Sequence, residues 1–278
     1  MRLVVTGARG MLGAATVIYL SRLGIEVVAV DVLPATVLEP GVQYLRADLR
    51  QAGEVYDVID GADAVLHLAA IASQRIYPSG HTFFNNVGMT WNILEAAARL
   101  KIPRVVIASS LQVNHTVTPR TPIAYDYFPV DEDHPVSPQD DYGLSKYVGE
   151  ICADTFATHW GLTVASFRFP LIANDANFAL MPRPDPDVPF GALFAWVAVQ
   201  DAARACYLGA VAPLPPRTHT VFMAAARDSS LAVPTRVYLE RHFPEAAIRP
   251  NLAEYGSTID SSRAERLLGW IPEISVKR

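Results

Sequence analysis

Short, unbroken apolar runs alternate along the chain with longer stretches in which apolar residues recur every three or four positions. The first run is Leu3-Val4-Val5, within a strand predicted over residues 2–6. From Leu12 to Leu23 the residues Leu12, Ala15, Ile18 and Tyr19 then repeat at helical spacing. Ile25 to Val30 predicts a second strand and residues 42–46 a third. A helix follows through Val55, Val58 and Ile59, then a strand over Val65 to Leu68. Thr82 to Leu100 predicts a long amphipathic helix with Val87, Trp91, Leu94 and Ala98 on one face and Ile93 and Ala97 beside them. Asn86 is a mediocre helix former inside it, which points to a hydrogen bond with a neighbouring loop. Pro103 ends that helix, and Arg104 to Ala108 reads as a buried strand. Further on, the pattern predicts a helix over 142–160, a strand over 163–169, a helical run from Asp201 and a strand from Thr218 to Ala224. Two last helices run from Leu231 to Phe243 and from Ser261 to Leu268, with Ser261 as a cap and Gly269 as a stop.

Strands alternating with helices imply parallel strands joined by right-handed crossovers. The predicted fold class is α/β, a Rossmann-type doubly wound parallel sheet with a smaller C-terminal substrate lobe. Residues 1–170 form the dinucleotide domain, rejoined by a helix at about 198–210 and a strand at about 218–224. Residues 171–197 and 225–278 make the lobe. In such a sheet, ligands bind beyond the carboxyl ends of the strands.

Composition narrows the function. The net charge is −5, which argues against the basic stripe of a nucleic-acid binder. No run of about 18 apolar residues is present, so no membrane partner is expected. No leader-like segment opens the sequence, and Cys152 and Cys206 show no metal spacing, so the expectation is a reduced, cytoplasmic protein without a metal.

The candidate chemistry falls at the strand ends. Thr6-Gly7-Ala8-Arg9-Gly10-Met11-Leu12-Gly13 lies between a strand and a helix, the context a dinucleotide fingerprint needs. Gly7 permits the turn, Gly10 lets backbone approach a pyrophosphate, and Gly13 allows close packing of helix on strand. Asp31 closes the second strand, where an acid accepts from a ribose diol and repels a 2′-phosphate, so NAD is favoured over NADP. Arg9 is the counterweight, because a guanidinium beside the turn suits a 2′-phosphate. Small residues Ala69-Ala70 and the pair Ser109-Ser110 fall at the ends of the next two strands. His67 is read as a packed strand histidine. Tyr142 and Lys146, four apart on a helix, share a face, and a nearby cation would lower the phenol's pKa and suit it to proton transfer with an alcohol.

These residues together make the chain resemble the extended short-chain dehydrogenase/reductases of the NAD-dependent epimerase/dehydratase group. The likeness continues through Asp48-Leu49, His67-Leu68-Ala69-Ala70, Asn86-Val87-Gly88-Met89-Thr90, Arg168-Phe169-Pro170 and Leu268-Gly269-Trp270-Ile271-Pro272. The resemblance implies that Ser110 holds the reacting oxygen, Tyr142 is the general acid/base, and Lys146 holds the nicotinamide ribose and lowers the tyrosine pKa. Asp48 and Leu49 would meet the adenine, Asp31 its ribose, and Pro170 the nicotinamide. Leu68, Ala69, Ala70, Asn86, Ala108 and Ser109 would complete the cofactor site. Ser73, Gln112, Asn114 and Arg183 are the substrate-side candidates.

The sequence departs from the family pattern near the substrate. Asn114-His115 stand where Tyr-Gly is usual, and Pro170-Leu171 where an asparagine is usual. Residues 118–138 read as a loop over the site entrance, and 174–189 as a Pro-rich connector. Only 32 residues lie between Arg168 and Asp201, a span that resembles the shorter uronate-oxidising relatives more than the nucleotide-sugar epimerases. The implied activity is NAD-dependent hydride transfer at a carbinol carbon of a sugar derivative, with a small sugar or uronate favoured. The alternatives are a UDP-sugar 4-epimerase or dehydratase, and a non-catalytic NAD sensor. The long helices 82–100 and 142–160 offer a surface for a homodimer.

Overall fold

The computed structural model describes residues 1–36, 38–72, 80–114, 121, 124–174 and 193–276. Seven parallel strands form the main sheet: β1 (Arg2–Thr6), β2 (Glu26–Asp31), β3 (Val42–Arg46), β4 (Ala64–His67), β5 (Arg104–Ser110), β7 (Thr163–Phe169) and β10 (His219–Met223). Their order is β10-β7-β5-β4-β1-β2-β3. The order reverses between β1 and β4, which places the crevice beyond those two strands.

The continuous apolar runs are explained by burial on both faces of the sheet. Leu3 and Val5 of β1 face α1 (Met11–Arg22) and α5 (Val199–Val211), together with Val27, Ala29, Leu66 and Phe167. Val4 faces the other way, with Val28, Val65, Val105 and Val164. There it meets α2 (Ala52–Ile59), α3 (His81–Arg99) and α4 (Asp141–Trp160). The final helix α7 (Ser262–Leu268) leans on the α1–α5 side through Ala264 and Leu268.

A separate apolar cluster packs beyond the sheet edge and draws on Tyr125, Phe128 and Val130 as well as on residues after 192. Tyr125, Phe128, Leu193, Phe194, Leu231, Tyr238 and Ile259 build it, with α6 (Thr235–His242) across it. Tyr125 packs on Phe128 and Phe243, with ring centroids 4.8 and 4.9 Å apart. Two small parallel pairs brace this region: β6 (Tyr127–Phe128) with β11 (Ala247–Ile248), and β8 (Leu171–Ala173) with β9 (Trp196–Ala198). β6 lies inside the stretch expected to be loop. The helix expected from Leu231 begins only at Thr235, because Pro234 holds the N-cap. Ser261 occupies its expected cap position, but its hydroxyl accepts from the Ala225 N–H instead of capping α7. Gly269 ends α7 in the left-handed conformation, as expected.

Candidate active site

The crevice is built from the glycine turn outward. Gly7 has φ +69, and a Cβ there would lie 2.7 Å from the Ala69 Cα. A Cβ on Gly13 would lie 2.0 Å from the Gly7 carbonyl oxygen, so the turn and the first turn of α1 close only without side chains. Gly10 is the N-cap of α1, and no side chain caps that end. Its first-turn N–H groups and the helix dipole therefore present donors to an anion. The Asp31 carboxylate accepts from the Arg9 and Leu33 N–H groups, at 2.9 and 3.0 Å, which fixes it at the rim.

Gly7, Gly10, Asp31, Asp48, Leu49, Leu68, Ala69 and Ala70 line one cleft of 310 Å³. These are positions expected from the sequence. Val32, Ala47, Arg50, Ile71, His81, Asn85 and Met89 line it too, and sequence reasoning missed them. Met89 stood within a quoted motif; the others carried no signal of their own. Arg50 clamps Asp48 at 2.5–3.0 Å and keeps its carboxyl below the usual range, mainly through that hydrogen bond. Leu12 packs into the core and Met11 is exposed. Glycines that a Cβ would overfill, an uncapped helix start and a fixed carboxylate at the next strand end suit the pyrophosphate and ribose of NAD.

Asn86 performs the expected loop contact. Its amide accepts from Ile71 N–H at 2.8 Å and donates to Ile71 O at 3.1 Å and to Ser145 Oγ at 3.2 Å. This ties the loop after β4 to α4. Asp140 starts α4 by accepting from Gly143 N–H at 2.6 Å. A Cβ on Gly143 would lie 2.4 Å from the Gln112 carbonyl, so the glycine lets the helix press against the turn after β5.

That approach brings Tyr142, Lys146 and Ser110 together. The Ser110 hydroxyl lies close enough to the Tyr142 phenol to act on its pKa, and Ser110 Oγ accepts from Gln112 N–H at 3.2 Å. Lys146 Nζ donates to the Ala108 carbonyl at 2.7 Å and lies 5.6 Å from the Tyr142 ring centroid. The expected lowering of the phenol pKa is corrected by this geometry. Burial raises Tyr142 above its ordinary value, the Ser110 hydroxyl offsets part of that, and the Asp140 charge adds to it. Burial also lowers Lys146 to about 8, against the pull of Glu150. His67 is structural, as read: its ring contacts Thr6 Oγ1 at 2.9 Å and Thr90 Oγ1 at 3.3 Å. Burial, with Lys146 nearby, lowers its pKa to about 3.

One turn beyond Lys146, on the same face of α4, lies Glu150. It forms a buried ion pair with Arg168 of β7, Nη2–Oε2 2.7 Å and Nε–Oε1 3.0 Å. Ser109 turns its hydroxyl to Glu150 Oε1 at 2.6 Å rather than to the cleft. Asn114 also faces inward: Oδ1 accepts from Arg168 Nη1 at 3.1 Å and Nδ2 donates to the carbonyls of His134 and Pro135. Its side chain is fully buried and committed to the protein rather than offered to a substrate. Gln112 and Pro170 remain half-buried near the strand ends. Ser73 and Arg183 lie outside the described residues, as do most of the 174–189 connector and residues 118–120 and 122–123. Among the described residues no His, Cys, Asp and Glu grouping could hold a metal ion.

Residues 3–175 match the NAD dependent epimerase/dehydratase family. The chain belongs to this family. The family is described as NAD dependent, and it is of the extended short-chain dehydrogenase/reductase type. Among curated relatives of this epimerase/dehydratase chain is the L-arabinose 1-dehydrogenase (NAD(P)(+)) of Haloferax volcanii. It is 28% identical over 239 residues, 82% of this chain and 89% of that protein. The uronate dehydrogenase of Agrobacterium fabrum is 31% identical over 63% of each chain. The putative UDP-glucose 4-epimerase of Methanocaldococcus jannaschii is 29% identical over 60% of this chain, and only 54% of that protein's length is spanned. Among solved structures, a mutated uronate dehydrogenase aligns with TM-score 0.71 at 25% identity, covering 99% of this chain and 82% of the other. MoeE5 in complex with UDP-glucose and NAD aligns equally well, with 95% of that chain covered at 25% identity.

Proposed function

We propose that this family member oxidises a carbinol carbon of a small sugar or uronate. The observation that carries this is the convergence of Ser110, Tyr142 and Lys146 beyond β5, a neighbouring strand of the same parallel sheet whose strand ends β1, β2 and β4 border the cleft. When bound, NAD supplies the hydride acceptor. Gly7, Gly10 and the start of α1 hold its phosphates, Asp31 its ribose, and Asp48 and Leu49 its adenine. Tyr142 exchanges the proton of the substrate hydroxyl at its phenolic oxygen, Ser110 orients that oxygen, and Lys146 supplies a local positive charge. Because burial keeps the phenol protonated, the phenolate needed for oxidation grows with pH, while the Lys146 charge is lost as pH rises through about 8, so the oxidation rate rises through the neutral range and levels off above about pH 8.

The H. volcanii relative, matched along nearly its whole length, supports the small-sugar reading over the nucleotide-sugar one. In this reading residues 1–170, with α5 and β10, make the NAD-binding domain, and 171–197 with 225–278 the substrate-binding lobe. The test is NADH absorbance with a panel of aldoses and uronates. Tyr142→Phe is expected to lose about 10²-fold or more of the rate; near-wild-type turnover would remove Tyr142 from the chemistry. Turnover of a UDP-sugar without net NADH would instead favour the epimerase reading, and tight NAD binding with no turnover the sensor.

We also propose a second copy of the chain as partner. Phe84 and Trp91 of α3 and Leu144, Ile151 and Trp160 of α4 are exposed, and the two helices pack side by side. Five large apolar side chains on neighbouring helices suit burial against an identical face. Trp91→Glu is expected to shift a dimer to monomer in sedimentation; an unchanged mass would reject this face. The free thiols Cys152 and Cys206 suit a cytoplasmic setting.

A further inference from the structure

The face of α4 that carries Tyr142 and Lys146 meets the end of β5 residue by residue. Lys146 Nζ donates to the Ala108 carbonyl at 2.7 Å, the Ser109 hydroxyl donates to Glu150 Oε1 at 2.6 Å, and the Tyr142 phenol faces the Ser110 hydroxyl. Tyr142, Lys146 and Glu150 follow one another at four-residue steps, so they form one row along the helix. The chemistry above uses the first two and leaves Glu150 without a part. Its side chain is 4% exposed, and its carboxylate is locked in place. Arg168 of β7 donates to both oxygens, and Ser109 shares Oε1. The parallel register sets Arg168 directly beside Ser109, so both donors come from neighbouring strand positions under the helix. Well-packed apolar side chains would hold α4 on the sheet as firmly as this ion pair, so packing alone does not call for an acid here. The acid is instead shared by two cations, Lys146 one helical turn away and Arg168 in direct contact.

We propose that Glu150 is a positioning residue for the oxidation: its carboxylate, fixed by Ser109 and Arg168, holds Lys146 in its charged form beside Tyr142. The proposal rests on the roles given above to Tyr142 and Lys146. Burial works against the Lys146 ammonium and Glu150 works for it. Among the described residues, the other groups around Lys146 do not supply that charge. His67 of β4 is held neutral, and Tyr142 stays protonated through burial. The packed face of α3 offers Asn86 and Thr90, β5 the Ala108 carbonyl and Ser109, and the turn after β5 Gln112 and Asn114; none of these titrates. Arg168 of β7 brings a further positive charge. Asp140, at the N-cap of α4, is bonded to the Gly143 N–H and acts on Tyr142. His219 of β10 pairs with Asp154, two turns farther along α4. Glu150 is therefore the counter-charge within reach of Lys146.

The test is the pH midpoint for acylation of Lys146 in the full chain, read by mass spectrometry of its peptide, and it needs no substrate. Wild type is expected near pH 8. Glu150→Gln keeps the shape and removes the charge, and is expected to lower the midpoint by about one pH unit. Glu150→Asp keeps the charge and is expected to stay within about half a unit of wild type. The double variant Glu150→Gln/Arg168→Met leaves no unpaired buried charge, so it keeps the fold where the single variant loses it, and its midpoint is expected to fall as well. If Glu150 only braced the fold, its loss would admit water and move the midpoint up, toward the ordinary lysine value. A midpoint that rises or stays in place in both Gln variants overturns the proposal. With a substrate that turns over, the levelling of the rate is expected to move down with the midpoint, and a rate profile that does not follow it overturns the proposal too. An absence of turnover by wild type on every sugar tested would count against the oxidation reading instead, and leaves the midpoint comparison intact.

Discussion

Replacing Arg168 with Met isolates the buried pair behind Tyr142 and Lys146. Arg168 and Glu150 are each under a tenth exposed and joined by two bonds of 2.7 and 3.0 Å. With the guanidinium gone, the Glu150 carboxylate keeps only the Ser109 hydroxyl as a donor among these contacts, and Asn114 Oδ1 loses its Arg168 donor. Uncoupling a buried ion pair by removing one member costs about 3–5 kcal/mol. An orphaned buried carbonyl adds about 1 kcal/mol or more. The expected loss is thus about 4–6 kcal/mol, which corresponds to a fall in Tm on the order of 10 °C. The assay is urea unfolding followed by tryptophan fluorescence, with calorimetry as a second readout. Adding Glu150→Gln to Arg168→Met is expected to recover stability relative to the single variant, because the uncompensated charge is then absent. The reasoning fails if Arg168→Met lies within about 1 kcal/mol of wild type, or if the double variant is no more stable than the single one.

Other outcomes follow from the same geometry. His67, held neutral with a pKa lowered from 6.5 to about 3, takes no proton in the folded chain, while the unfolded chain takes one below pH 6.5. Stability from this group is therefore complete above pH 6.5 and falls as pH drops, by about 2 kcal/mol between pH 6.5 and 5; a His67→Asn variant with the same pH slope as wild type would contradict it. Lys146 is expected to acylate with a midpoint near pH 8, read by mass spectrometry of its peptide; a midpoint above about 9.5 would reject the burial argument. Gly13→Ala places a Cβ where the Gly7 carbonyl oxygen sits. Overpacking of this kind costs about 1–3 kcal/mol, and weakened NAD binding should accompany it in a calorimetric titration.

The crevice at the β1–β4 edge was legible because its signals are local. The β1 run, the glycine turn, Asp31 and Ala69-Ala70 each follow from a few adjacent residues, and the parallel topology brings them to one edge. Asn86 was legible for a similar reason, as a polar residue out of place in a helix. Three features were not. The β6–β11 and β8–β9 pairs have only two or three residues per strand, too few for any periodicity to register. The inward turn of Asn114 and Ser109 depends on Glu150 and Arg168, which come from two other elements; the four-residue step from Lys146 to Glu150 was the one available hint. The rise in the Tyr142 pKa depends on how completely its surroundings exclude water, which spacing along a helix does not encode.

The β6–β11 pair has a consequence for synthesis on the ribosome. Tyr127 and Phe128 find their strand partners only at Ala247 and Ile248, and Val130 bridges to Ile259. The dinucleotide strands β1 to β5 can pair as they emerge, each soon after the last. The apolar side of the 125–130 segment instead waits until more than a hundred further residues have been translated. During that interval Tyr125, Phe128 and Val130 are uncovered on a nascent chain whose cofactor half can already be formed. This interval is where a chaperone holding the nascent polypeptide would change the yield of native enzyme.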